Sequence, residues 1–246
     1  MPLPGPASRR RSAWAEGAVA RLPRLAVAGH AHLVALRGHP AHPIVVNDDD
    51  ARHLLAALRE AAAVHRVSIH AYALLLDQLH LLATPADSAA LGRMVQDLSR
   101  RYVGAFNRRH RRIGALWNGR FRATVVQPGP RVIDAMVYVD QMPVSAGEAA
   151  EAAAYPWSSA THHLGGRRDT LVSDVPAYWQ LGNTPFEREA AYARRLAAGL
   201  GSRQCAELAD AAHKGWAIGD AEFVAALSDS AERPMRPRPR GRPRTG

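Results

Sequence analysis

Leu74-Leu-Leu-Asp-Gln-Leu-His-Leu-Leu-Ala-Thr84 is the stretch on which the fold turns. Short apolar runs broken by a turn residue read as strands, so Val67 to Leu76 runs out, Asp77 turns, and Gln78 to Ala83 returns antiparallel. Residues two apart on a strand share a face. Gln78 and His80 therefore project together, while Leu79 and Leu81 enter the opposite layer. Two polar, metal-capable side chains on an apolar strand have two readings. His80 is a hydrogen-bonded core histidine, or the pair presents ligands to a substrate phosphate.

Upstream, Leu25 to Leu36 contains Val27, His30, His32, Leu33 and Val34 and reads as a first strand. His30 and His32 share a face by the same period, which opens a metal pair beside the plainer reading of a His-rich loop edge. Pro40 and Pro43 break the chain. Asn47-Asp48-Asp49-Asp50 is a helix start, because short acceptors cap free N–H groups and acidic charge suits the positive dipole end. That helix runs to about Ala63.

Downstream, Ala89 to about Asn107 carries Leu91, Met94, Leu98, Tyr102 and Ala105 in helical rhythm. Its end is basic, with Arg100, Arg101, Arg108, Arg109, Arg111 and Arg112 interleaved with Tyr102, Phe106, His110 and Trp117; Arg120 follows. One reading is a solvated helix end with Trp117 in the core. The other is a groove that tracks a phosphate backbone and stacks unpaired bases on aromatic platforms. A strand over Phe121 to Val126, a turn at Pro128-Gly-Pro130 and a helix from Val132 to Gln141, stopped by Pro143, complete the central unit. Helices follow at about Pro185 to Leu200, Arg203 to Ala212 and Asp220 to Ser228.

The chain has 246 residues, 47% apolar, and a net charge of +10. A sizeable core is within reach, and an anionic partner is favoured. Lys214 is the only lysine, so the charge also fits an Arg-, Ala- and Pro-rich composition bias. One cysteine, Cys205, excludes an internal disulfide and a Cys-based zinc cluster. No apolar run spans a membrane, and Arg9 to Arg11 lack the apolar core of a signal peptide, so a cytoplasmic, nucleoid-associated protein is expected. Residues 1–21 read as a loose extension and 231–246 as a disordered Pro/Arg tail. Within that tail Arg240-Gly-Arg242-Pro resembles an AT-hook core, in which two arginines enter a narrow minor groove.

Tyr138-Val-Asp-Gln-Met-Pro-Val-Ser-Ala-Gly147 followed by Tyr155-Pro-Trp-Ser-Ser159 resembles the REP-associated tyrosine transposases, single-tyrosine HUH transposases of small insertion sequences. Their pattern is Tyr-aliphatic-x-x-Asn-Pro-Val-x-x-Gly, then Tyr-Pro-Trp-Ser-Ser. The likeness extends through His32-Leu-Val-Ala-Leu-Arg-Gly38, His70-Ala-Tyr72, Phe106-Asn-Arg-Arg109, Leu116-Trp-Asn-Gly-Arg-Phe121 and Gly215-Trp-Ala-Ile-Gly219. It implies an α+β fold, an antiparallel, ferredoxin-like sheet with helices mainly on one face. Residues 22–165 would form the catalytic domain and 166–230 a helical extension.

The resemblance also implies Mg²⁺ or Mn²⁺ held by two histidines on one strand and a third ligand one turn after the tyrosine. The tyrosine would nick and rejoin single-stranded, hairpin-bearing DNA through a 5′-phosphotyrosine. Tyr138 matches the nucleophile and His80 the second histidine. Gln78 stands at the first histidine position and Met142 at the usual Asn. An amide oxygen suits Mg²⁺, whereas a thioether does not; Gln141 or Asp134 reaches the same helix side and is an alternative oxygen donor. A catalytically degenerate, metal-independent DNA-binding protein is therefore the rival expectation, with an RNA-binding protein third. The chain is expected to act as a monomer or homodimer without a membrane partner.

Overall fold

The computed structural model of the chain describes residues 26–39 and 42–230. Residues 1–21, expected as an N-terminal extension, and the Pro/Arg tail with Arg240 and Arg242 lie outside the described residues.

The hairpin expected around Asp77 forms: β2 (Val67–Leu74) and β3 (Gln78–Pro85) pair antiparallel, with Leu74 opposite Leu79. β1 (His32–Arg37) pairs with the other side of β3, setting Ala35 opposite His80 and Arg37 opposite Gln78. β4 (Arg122–Val125) pairs antiparallel with β1, giving the order β2-β3-β1-β4. With α1 (Asp48–Val64) between β1 and β2 and α2 (Ala90–Arg109) between β3 and β4, the connectivity is a ferredoxin-like split βαβ. The first strand starts later than the sequence pattern predicts, since residues 28–30 form a turn and bend.

Strand alternation divides the core. Val34, Leu36, Leu79, Leu81 and Ala83 join α1 and α2 in one apolar layer. Leu33, Ala73 and Leu82 join the other, with α3 (Pro130–Asp140). A register shift between Ile69 and Ala71 inserts His70 as a bulge, which lets Ile69 and Tyr72 enter the same layer despite their odd spacing.

Helices thus cover both faces, where the sequence reading expected mainly one. After the short helices α4 (Met142–Ser145), α5 (Ala160–His163) and α6 (Pro176–Trp179), the C-terminal helices α7 (Pro185–Ala198), α8 (Ser202–Lys214) and α9 (Ala221–Ser230) explain the difference. Tyr192, Leu196 and Leu208 share a core with Met136 and Val137 of α3, and Ile218 forms a parallel bridge with Val126. The apolar face of α3 is covered by these helices.

The Tyr-Pro-Trp-Ser-Ser segment seals the exposed edge of β2. Ser158 bridges Ala73, the Leu74 N–H donates to the Trp157 carbonyl at 2.9 Å, and the Tyr155 hydroxyl donates to the Leu74 carbonyl at 2.8 Å. These bonds satisfy an edge that would otherwise be open to pairing.

Candidate nucleic-acid interface and catalytic site

His80 is 6% exposed, and its Nε2 has no hydrogen-bond partner. Burial holds its pKa down to about 4, and Arg37 pushes the same way. The ring is neutral at pH 7 with an unspent polar atom. Leaving such an atom unpaired costs about 1–3 kcal/mol, which packing alone does not explain. Gln78 lies two residues earlier on the same face and is partly exposed.

Tyr138 comes from the last turns of α3 and packs against the same layer, half-buried. Among the described residues its hydroxyl has no hydrogen-bond partner, yet it is not sealed from solvent. Burial raises its pKa, nearby Cys205 adds to this, and Arg37 opposes it. Arg37 is therefore an electrostatic neighbour of both the phenol and the imidazole. It ends β1 on the Gln78 row, is exposed, and pairs with no carboxylate among the described residues. Strand alternation places its side chain on the face of Gln78 and His80. The sequence reading missed Arg37 as a site residue, although it lies within the quoted His32–Gly38 stretch. Only the strand register brings it to Gln78.

A cleft of about 300 Å³ opens beside Arg37 on the α2 side of the sheet, lined by Gln96, Ser99, Trp117 and Arg120. The Trp117 indole N–H is buried in its wall without a partner. The Asn118 N–H donates to the Arg37 carbonyl at 2.8 Å, tying this loop to the end of β1.

Other expected site residues have different work. Tyr102 and Phe106 are fully buried, and the Tyr102 hydroxyl donates to the Ile44 carbonyl. They are core residues of the α1–α2 layer and do not serve as base-stacking platforms. Arg109 and His110 hold Asp50, a carboxylate with no exposure, at 2.5 and 2.7 Å. A buried carboxylate needs such partners, so Arg109 joins α2 to the start of α1. Arg101 pairs with Glu60 and with Asp97. Arg112 donates to Asn107 at 3.3 Å and lies 5.7 Å from the Phe106 ring centroid. Arg100, Arg108, Arg111 and Arg120 remain exposed.

The Gln141 amide donates to the Leu196 carbonyl at 2.7 Å, which fixes it to the end of α7. Met142 packs in the apolar layer, and Asp134 lines a cleft toward Gln204 and Glu207 of α8. No group of three His, Cys, Asp or Glu among the described residues could hold a metal ion. One imidazole and one amide fall short of the oxygen-rich shell that Mg²⁺ or Mn²⁺ takes. The first-strand histidine is also spent. His32 Nδ1–H donates to the His30 carbonyl at 2.7 Å, and Nε2 accepts from the Val27 N–H at 3.0 Å.

Asp140, two residues past Tyr138, anchors the helix that carries it. Its carboxylate accepts from Ser159, His163 and Tyr192 at 2.6, 2.7 and 2.7 Å.

No family model and no curated protein matches the chain. Among solved structures, it is similar to a REP-associated tyrosine transposase bound to a REP hairpin, at TM-score 0.52 and 13% identity, over 63% of this chain and 92% of that one. A crystal structure from Deinococcus radiodurans, whose transposase assignment is provisional, gives TM-score 0.33 and 23% identity over 44% of this chain and 84% of that one; this likeness carries no argument. The four-stranded antiparallel sheet and its helices give this chain a fold similar to that of the REP-associated tyrosine transposase.

Proposed function

We propose that this chain is a transposase-like DNA-binding protein that nicks and rejoins single-stranded, hairpin-bearing DNA through Tyr138. The observation that carries the reading is the buried, unpartnered Nε2 of His80 on the sheet face that α3 covers, with Arg37 acting on both His80 and the open hydroxyl of Tyr138. The Tyr138 oxygen forms a bond to phosphorus as the bond from phosphorus to the 3′-oxygen breaks. The phenolic proton passes to solvent, and the departing oxygen takes one up. Arg37 stabilises the phenolate and the charge that grows on the phosphate. Gln78, partly exposed, orients a phosphate oxygen through its side-chain N–H, and the neutral His80 ring stands behind it on the same face. The covalent link conserves the bond energy, so rejoining needs no nucleotide.

Incubating the full chain with labelled hairpin DNA bearing a single-stranded flank tests this. A denaturation-resistant adduct is expected from the native protein and not from Tyr138→Phe. Equal yield from both removes Tyr138 as the nucleophile.

A second reading is a DNA-binding protein that has lost cleavage, favoured by Gln78 and Met142 where hard metal ligands are expected. It predicts salt-sensitive hairpin binding with no adduct.

A further inference from the structure

Arg52 and Arg59 on α1 face Arg167 and Arg168, which follow Gly165-Gly166, across a cleft of about 430 Å³. Trp157, half-buried, forms part of its wall. Against four guanidiniums the lining sets one carboxylate, Asp169. That carboxylate is already engaged, accepting from the Tyr72 hydroxyl at 2.6 Å and the Leu171 N–H at 2.9 Å, with Arg59 3.8 Å away. Arg52 pairs at 2.7 Å with Asp49, outside the lining. Among the described residues the Arg167 side chain donates to the Pro156 carbonyl, at 3.4 Å, and neither it nor Arg168 pairs with a carboxylate. Like charges gathered this closely repel unless an anion joins them.

The location gives the cleft its sense. α1 lies on the sheet face opposite α3, so these arginines are not part of the Tyr138 side. Yet His80 pairs with Ala73, and Ala73 bridges Ser158, the neighbour of Trp157. Two strand spacings, about 10 Å, separate that row's ends. A strand leaving the Tyr138 side around the sealed edge of β2 arrives at this cleft.

We infer that the Arg52–Arg59–Arg167–Arg168 cleft is a second DNA subsite, holding phosphodiester oxygens of a single-stranded flank while a base rests on Trp157. The chemistry is that of unpaired-strand binding, with guanidiniums on phosphates and an aromatic face for a base. The inference rests on the DNA-binding reading above but not on cleavage.

The test measures affinity of the full chain for a fluorescent DNA hairpin with a single-stranded flank, across a salt series. In Arg167→Gln/Arg168→Gln the slope of log K against log salt is expected to fall by about 1.4, since each single-strand phosphate contact contributes roughly 0.7. Arg168→Gln alone should give half that fall, and circular dichroism reports whether each variant is folded. With 5-bromodeoxyuridine in the flank, the photo-crosslink should map to Trp157. An unchanged slope in folded variants, with the crosslink elsewhere, overturns the subsite. A slope change seen only with the matching RNA hairpin overturns the DNA assignment. Adduct formation with an unchanged slope sinks the cleft and leaves Tyr138. A slope change with no adduct in the native protein does the reverse.

Discussion

His163 donates from Nδ1 to Asp140 at 2.7 Å with neither side chain exposed, and from Nε2 to the His70 carbonyl at 2.9 Å. A carbonyl only accepts, so Nε2 carries a proton, and the carboxylate at Nδ1 favours a second proton there. This pairing favours the charged ring. It links the end of α3, two residues after Tyr138, to the bulge in β2, and so fixes the helix against the sheet.

Removing one partner leaves the other charge buried and alone. Asp140→Ala should cost about 3–5 kcal/mol, measured as a lower midpoint in urea. Burial lowers the His163 pKa, but the Asp140 carboxylate outweighs it and the net shift is upward. Below the unfolded value of 6.5 the ring is protonated in both states, and the pair's stabilisation is complete. As pH rises through the raised folded value, that stabilisation is lost. Tm should therefore fall on the alkaline side in the native protein, and less steeply in Asp140→Asn.

Acid acts through different histidines. Burial holds His32 and His80 near pKa 4 in the folded chain. Between 6.5 and 4 the unfolded state binds more protons, so stability drops as pH falls, by at most about 1.4 kcal/mol per pH unit for each ring. His80→Gln should make the acid limb of a Tm–pH curve shallower.

Tyr138→Phe removes a hydroxyl with no partner among the described residues, so stability should change by no more than about 0.5 kcal/mol while adduct formation disappears. Because its folded pKa lies above 10, the native adduct rate should still be climbing at pH 9. A plateau near neutrality in a pH–rate profile would point to another nucleophile.

Arg37→Ala deprives the phenolate and the phosphate of the guanidinium that acts on the phenol. Adduct rate should fall on the order of a hundredfold and its alkaline rise should move to higher pH. Arg37→Lys should recover part of the rate, since charge is kept and the planar fork is lost. A variant that binds weakly but reacts at the native rate once saturated would reduce Arg37 to a docking contact.

Gln78→His with Met142→Asn supplies the donors that the native set lacks. Nicking should become strongly Mn²⁺-dependent and faster by tenfold or more, each decade being about 1.4 kcal/mol. Native nicking that chelator already abolishes would show that Gln78 and His80 suffice.

The hairpin, the Asn47 cap and the placing of Gln78 with His80 were legible in the sequence, because each depends on neighbours within a few positions. Asn47 does accept from the Asp50 N–H, at 3.0 Å. The basic run after Ser99 misled for the same reason: periodicity puts Tyr102 and Phe106 on one stripe without telling whether core or solvent faces it. Only packing put both rings inside and turned Arg109 toward Asp50. Residue order alone determined the hairpin and its paired polar row, while the ferredoxin-like sheet was implied by the family resemblance. Long-range contacts decided which cation serves that row, what holds α3 in place, and where two pairs of arginines more than a hundred positions apart converge. Local backbone preference reaches a few residues, whereas a charge on one strand finds its partner only after distant strands have aligned.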